Sequence, residues 1–178
     1  MDRPALSAAS STELVDIVDE HDVLQRVVTR REMRRDRLRH RSVGIMVRSS
    51  TGDVLVHRRA DDKDLWPGRF DLAVGGVVAS GETYDDAARR ELEEEIGVDA
   101  PVRFVCRGRY SDPEVCEVAR IYSVVSDGPF AFNDAEVVEA FFVGIAELPK
   151  FIESHLFVPD SLELCGHALG LSGRSSGT

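Results

Sequence analysis

No stretch of this 178-residue chain approaches the roughly 20 consecutive apolar residues that a bilayer-spanning helix needs. The N-terminus also lacks the apolar core of a signal peptide, which makes the cytoplasm the default location and speaks against a membrane role. Cysteine is scarce: Cys106, Cys116 and Cys165 are odd in number and show no CxxC spacing, so neither a disulfide framework nor a zinc site is expected. Net basic charge is missing too. The formal charge is -10, and a nucleic-acid polymer would be repelled on average. With 43% hydrophobic and 30% charged residues, the chain has the composition of a globular protein able to bury a core.

The charge that is present is unevenly spread. Arg30, Arg31, Arg34, Arg35, Arg37, Arg39 and Arg41 are opposed only by Glu32 and Asp36, whereas acids dominate from Glu82 to Glu95. An acidic site for a cation beside a basic strip for an anion suits a metal–phosphate substrate, although a solvated arginine-rich helix would read the same way.

Residues 13–170 read as one domain, with 1–12 and 171–178 as flexible tails. Leu14–Val18 and Val23–Val28 have strand character around a polar turn, and a short helix is expected near Arg30–Arg37. Val43–Val47 and Val54–Val56 flank Ser49–Asp53 as a hairpin would. Asp71–Val78 reads as one strand broken at Gly75-Gly76, and Val102–Arg109 with Val115–Val125 as a second hairpin. Ala140–Val143 reads as a further strand and Pro159–Leu169 as a closing helix. Without regular strand–helix alternation, the expected class is α+β, or a sheet sandwiched between helices.

Thr83–Ile96 carries the strongest helix signals. Thr83 can cap it with Asp86 three residues on, and Gly97 can take the left-handed stop. On a helical wheel of about 100° per residue, Glu91, Glu94 and Glu95 share an arc of roughly 100°, while Ala88, Leu92 and Ile96 form an adjoining apolar arc. Like charges at such spacing, at the negative end of the helix dipole, are unfavourable on their own. A cation removes both penalties. Carboxylate oxygens without histidine or cysteine suit Mg²⁺, with Mn²⁺ as a substitute. Arg90 can hold one of these carboxylates in place by a bidentate bond, and Gly76 allows the backbone to approach the metal or phosphate closely.

Gly76, Glu82, Arg90-Glu91-Leu92, Glu94-Glu95 and Gly97-Val98 stand at the spacing G-x5-E-x7-R-E-U-x-E-E-x-G-U, with U apolar. This resembles the Nudix box at every defined position. The resemblance implies a Nudix fold, a mixed β-sheet sandwiched between α-helices, and hydrolysis of a nucleoside diphosphate-like small molecule. It further implies Glu91, Glu94, Glu95 and Gly76 as the metal site, with Glu94 as ligand or base, Arg90 positioning them, and Glu82 as outer support. A catalytic base outside the box is open to Glu114, Glu117, Glu136 or Glu139. Many family members are dimers, so a homodimer is one assembly open to this chain.

A wider likeness, through Arg39-His40-Arg41, Arg58-Arg59, Trp66-Pro67-Gly68 and Pro159-Asp160-Ser161-Leu162, resembles the branch related to isopentenyl-diphosphate isomerase. It implies Arg58, Arg59 and Lys63 near the substrate diphosphate; Arg41, from the basic strip, joins them as an expected substrate contact. Aligned on Trp66, however, Gly75-Gly76-Val77 replaces the isomerase Cys-Gly-His. A carbon-skeleton isomerisation would lack its acid. The competing class is a binding module that senses a nucleotide without turnover; such domains often lose box glutamates, and none is missing here. Trp66, Phe70, Tyr110 and Phe130 are candidates to stack on a base.

Overall fold

β1 (Leu14–Val18) and β2 (Leu24–Thr29) pair antiparallel across a turn in which the Asp19 carboxylate accepts from the backbone N–H groups of His21 and Val23. A computed structural model of the chain describes residues 12–132 and 136–171, so the expected tails fall, apart from Thr12 and Leu171, outside the described residues. Thr29 ends β2 and caps α1 (Arg30–Arg35), its hydroxyl accepting from Glu32 N at 3.2 Å. Buried Met33 anchors this short helix.

The hub is β3 (His40–Arg48), which pairs antiparallel with β6 (Val74–Val77) on one edge. On its other edge it runs parallel to β8 (Cys116–Val125) from His40↔Glu117 to Arg48↔Val125. The expected first hairpin is present but short. Its turn is present, with Ser49 N donating to Asp53 O at 2.9 Å, but β3 and β4 (Val54–Arg59) meet only at Arg48↔Val54. A strand has two edges, and those of β3 are taken by β6 and β8. β4 turns away to pair with β5 (Phe70–Asp71) and β9 (Val137–Val143).

Asp71–Val78 likewise is not one strand. It crosses from β5, which pairs with β4, to β6, which pairs with β3. The break falls at Leu72-Ala73, whose N–H groups are met by Ser161 Oγ and Asp71 Oδ1, and not at the glycines. The second hairpin stands as expected, β7 (Arg103–Ser111) pairing antiparallel with β8.

Period-two alternation then sorts the side chains. Val43, Ile45 and Val47 of β3 with Tyr122 and Val124 of β8 pack against Ala88, Leu92 and Ile96 of α2 (Tyr84–Ile96). Met46 with Ala119 and Ile121 faces the other side. There it packs with Phe157, with Leu148 and Phe151 of α3 (Leu148–Ser154), and with Cys165 of α4 (Pro159–Ala168). Each fully buried leucine or isoleucine here contributes about 1.5–3 kcal/mol. The result is a mixed sheet between helices, an α+β architecture. The helix α3 was not anticipated.

Candidate active site

α2 begins and ends as its sequence demands. Thr83 Oγ1 accepts from Asp86 N at 3.1 Å, and Gly97 stops the helix with φ 69°. Between them Arg90 organises the acids. Its Nε and Nη2 donate to the two oxygens of Glu82 at 2.9 and 3.0 Å, and Nη1 donates to Glu91 Oε1 at 2.7 Å and Glu94 Oε2 at 3.1 Å. The bidentate partner is thus Glu82, which the turn before α2 holds through a bond from Ala79 N to Glu82 Oε2 at 3.0 Å. Burial alone would raise the Glu82 carboxyl, but the bonds from Arg90 and Ala79 pull it below its usual value. The same bonds to Glu82 hold Arg90 firmly protonated.

Gly76 lies in β6 directly over the helix. A Cβ added there would stand 2.5 Å from Glu91 Oε1, so only glycine leaves room for that carboxylate. Burial raises the Glu91 carboxyl above its usual value, partly offset by Arg90. Glu95 is raised well above its usual value, first by burial and then by the charges of Glu91 and Glu136. These are crowded acids, costly to ionise without a counter-charge.

Glu91, Glu94 and Glu95 line one open cavity of about 540 Å³ together with Arg90 and Gly76. Arg59 and Lys63 line it as well, Lys63 in an ion pair with Glu136. Two expected substrate contacts do not. Arg58 points outward to Glu139 and Asp61, at 3.2 and 3.1 Å, because neighbouring residues of a strand face opposite ways. Arg41 is committed to Asp16 and Asp22, at 2.9 and 2.6 Å. The basic strip reaches the cavity instead through Arg30 and Arg34, one helical turn apart on α1.

Of the candidate bases, Glu117 and Glu136 reach the cavity and Glu114 and Glu139 do not. Of the aromatic candidates only Trp66 does; Phe70 packs edge-on against Phe141 and Phe151, Phe130 rests against Phe142, and Tyr110 joins Leu65 and Val115.

The NUDIX domain family model matches residues 38–161, which contain every box residue and the cavity-lining part of the sheet. The chain belongs to the Nudix family. It is 43% identical over 157 residues to a Nudix hydrolase of Yersinia pestis, covering 87% of this chain and 85% of that one. To the Nudix hydrolase YfcD of Escherichia coli K12 it is 40% identical over 156 residues, covering 86% and 85%. Its fold matches the crystal structure of DR0079 from Deinococcus radiodurans with a TM-score of 0.75 and 28% identity, covering 88% of this chain and 99% of that one. As a Nudix hydrolase it acts on phosphorus-containing acid anhydrides.

Nudix hydrolases generally use a divalent metal, and the donor set here suits one: hard carboxylate oxygens, crowded and raised in pKa, beneath a glycine that leaves space above them. As placed, no three acidic, histidine or cysteine side chains among the described residues converge tightly enough to close an ion site. Arg90 stands between Glu91 and Glu94 instead, bonded to both.

The far wall of this Nudix cavity pairs the candidate base Glu117 with Asp160, a site residue that the sequence reading did not include. Buried Glu117 bonds to Ser42 and to Asp160, and both carboxyls are raised, first by burial. Burial and their mutual repulsion favour the neutral form of both carboxyls. Glu117 lies in phase with Ala119 and Ile121 on the α4-facing side of β8, a period-two signal already present in the sequence. Asp160 had no local signal.

Proposed function

We propose that this Nudix hydrolase cleaves the diphosphate linkage of a small, nucleoside diphosphate-like molecule in the cavity beside α2, with Mg²⁺ or Mn²⁺ held by Glu91, Glu94 and Glu95. The observation that carries this reading is the Arg90-centred carboxylate cluster on one wall of a cavity whose other sides present Arg59 and Lys63. A divalent cation there supplies charge neutralisation for the diphosphate and acidifies a water for attack on phosphorus. Arg90 holds Glu91 in place through Nη1 and takes its own position from Glu82 and from Val77 O. Arg59 and Lys63 draw the phosphates inward. Glu136, beside Lys63 and within the field of Glu95, is the acid outside the box to which we assign the proton of the attacking water.

In the likeness to the isomerase branch His40 is the one counterpart of that enzyme's metal histidines, and hydrolysis is favoured over isomerisation by its fate. Its ring is buried, with Nδ1 3.0 Å from Leu38 O and a further bond to Cys116 backbone, and is not free to serve as a ligand. The decisive experiment is a screen of nucleoside diphosphate sugars, dinucleoside polyphosphates and nucleoside triphosphates with Mg²⁺ and with Mn²⁺. Release of phosphate or nucleoside monophosphate is expected, together with a loss of about 10²-fold or more in the separate variants Glu94→Gln and Glu95→Gln. Unchanged turnover in both variants would refute the assignment.

A further inference from the structure

The cavity wall away from α2 differs in character from the wall that α2 provides. On both elements that build it, an apolar side chain and an acid share one face: Val115 stands two residues before Glu117, and Leu164 one helical turn after Asp160. Leu164 packs with Trp66 against Leu65, Tyr110 and Val115. Burial raises the Tyr110 phenol, and Asp160 is near enough to add to the effect. Apolar side chains and a carboxyl pair therefore meet on one wall. Trp66 lines the cavity there from a left-handed backbone conformation, φ 49°, directly before Pro67. Bulky residues avoid that region, and the residue before proline is restricted further. Presenting the indole at this wall thus carries a conformational cost that the surrounding packing offsets.

Of the two acids, Glu117 is 6% exposed and is engaged by Ser42 and by the field of Arg34, whereas Asp160 is only partly buried and lines the cavity. Asp160 Oδ1 accepts from Ser161 N at 2.6 Å, and the carboxyl is bonded to Glu117. A proton on the pair is engaged between its members, so what Asp160 offers an incoming group is acceptor capacity. A carboxyl has about four lone-pair sites, and these two bonds leave some of them free. Burial holds both carboxyls toward their neutral forms, which suits an uncharged donor better than a cation. We propose that Asp160, braced by Glu117, and the Trp66 indole form the recognition subsite for the non-phosphate end of the substrate, a nucleobase carrying an exocyclic amino group. The ring lies against Trp66 and the amino N–H donates to Asp160. A hydrocarbon tail in the same place would bury the carboxyl without a partner. A base with an oxo group in place of the amino group sets oxygen against oxygen, a mismatch that a site arranged for a donor rejects strongly.

The subsite extends the nucleoside diphosphate reading and rests on it, and the two are tested apart. Trp66 is the single tryptophan of the chain, so its fluorescence reports directly on a ring at this wall. The full chain is titrated with AMP, IMP, CMP, UMP and ribose 5-phosphate in the presence of Mg²⁺, for wild type, Asp160→Leu and Asp160→Asn. In wild type the nucleotides should quench the emission and ribose 5-phosphate should not. AMP should bind about tenfold more tightly than IMP, and CMP than UMP. Asp160→Leu should bind both members of each pair equally. Asp160→Asn, which adds an amide donor beside the acceptor, should narrow the preference by admitting the oxo base. A general loss of packing would weaken both members of a pair together and leave their ratio unchanged. Equal affinities within both wild-type pairs, quenching by ribose 5-phosphate as strong as by AMP, no response to any nucleotide, or an unchanged preference in both Asp160 variants would each overturn the subsite. Turnover in the diphosphate screen without a base preference sinks the subsite alone. Base preference in a protein that hydrolyses nothing in that screen sinks the hydrolytic reading and leaves the subsite standing.

Discussion

Arg90 spends its whole fork on the chain itself, with two bonds to Glu82, one each to Glu91 and Glu94, and one to Val77 O. Its loss leaves a half-buried acid array without its counter-charge. Arg90→Ala should cost about 1–3 kcal/mol, below the value for a fully buried pair because Arg90 is 30% exposed and partly screened. That corresponds to a melting temperature lower by roughly 2–4 °C per kcal/mol, measurable by calorimetry. Arg90→Lys should recover the charge but not the bidentate grip on Glu82, and should therefore fall between. Gly76→Ala is a sharper test of the site. Its Cβ would lie 2.5 Å from Glu91 Oε1 and 2.7 Å from Glu91 Cδ, so the carboxylate must move. Turnover and Mg²⁺ affinity should fall together, by about tenfold or more, as expected when a positioned ligand is displaced; unchanged Mg²⁺ affinity would remove Glu91 from the metal site.

At the scale of elements, α2 shows what local chemistry can specify. Its cap, its stop and its acidic arc all depend on residues within four positions of one another, and each stands where the sequence places it. Thr83→Ala should lose about 1 kcal/mol by orphaning Asp86 N–H. Gly97→Ala should lose about 1–2 kcal/mol, since φ is 69° and the new Cβ would meet Ala131 Cβ at 3.0 Å. Urea titration of both reads these losses directly. The Ser49–Asp53 turn was equally local and equally legible. How short the hairpin built on it is was not legible, because the extent of strand pairing is settled by which edges are free. β8, about 70 residues downstream of β3, claims one edge of it in parallel register, a pairing that no turn signal announces. The split of Asp71–Val78 has the same cause: residues that read as one apolar run serve two different partners.

Across the whole molecule, buried ionisable groups set a dependence on pH and metal. Burial lowers the His40 pKa to about 3. The unfolded chain then binds the proton more readily between pH 3 and 6.5, so His40 contributes stability that is present above about pH 6.5 and declines as pH falls toward 3. Glu95, Glu117 and Asp160 act in the opposite sense. Their folded pKa values are raised by burial, so their contribution is present below the ordinary carboxylate range and is lost as pH rises through the raised values. Metal-free protein should therefore melt lower at pH 8 than at pH 6, as calorimetry at the two values would show. Asp160→Asn, neutral at every pH, should raise the melting temperature at pH 8 and have less effect at pH 5. A pH-independent shift would show that the Glu117–Asp160 pair is not the titrating unit.

The acidic face of α2, its cap and its stop were decided by sequence alone, since each follows from the spacing of neighbours on one helix or turn, whereas the seat of Gly76 over Glu91 and the two-pronged grip of Arg90 on Glu82 came with the fold. Tertiary structure decided which arginines meet that face. Arg41 and Arg58 satisfy all that sequence asks of a phosphate ligand, yet ion pairs with Asp16, Asp22, Asp61 and Glu139 hold them elsewhere. Arg30, Arg34, Glu117 and Asp160 reach the cavity because α1, β8 and α4 converge on it from distant parts of the chain. The reason is the range of the forces. Hydrogen bonding within a turn acts between residues a few positions apart, whereas charge pairing and strand-edge occupancy depend on distances that exist only once the chain has folded.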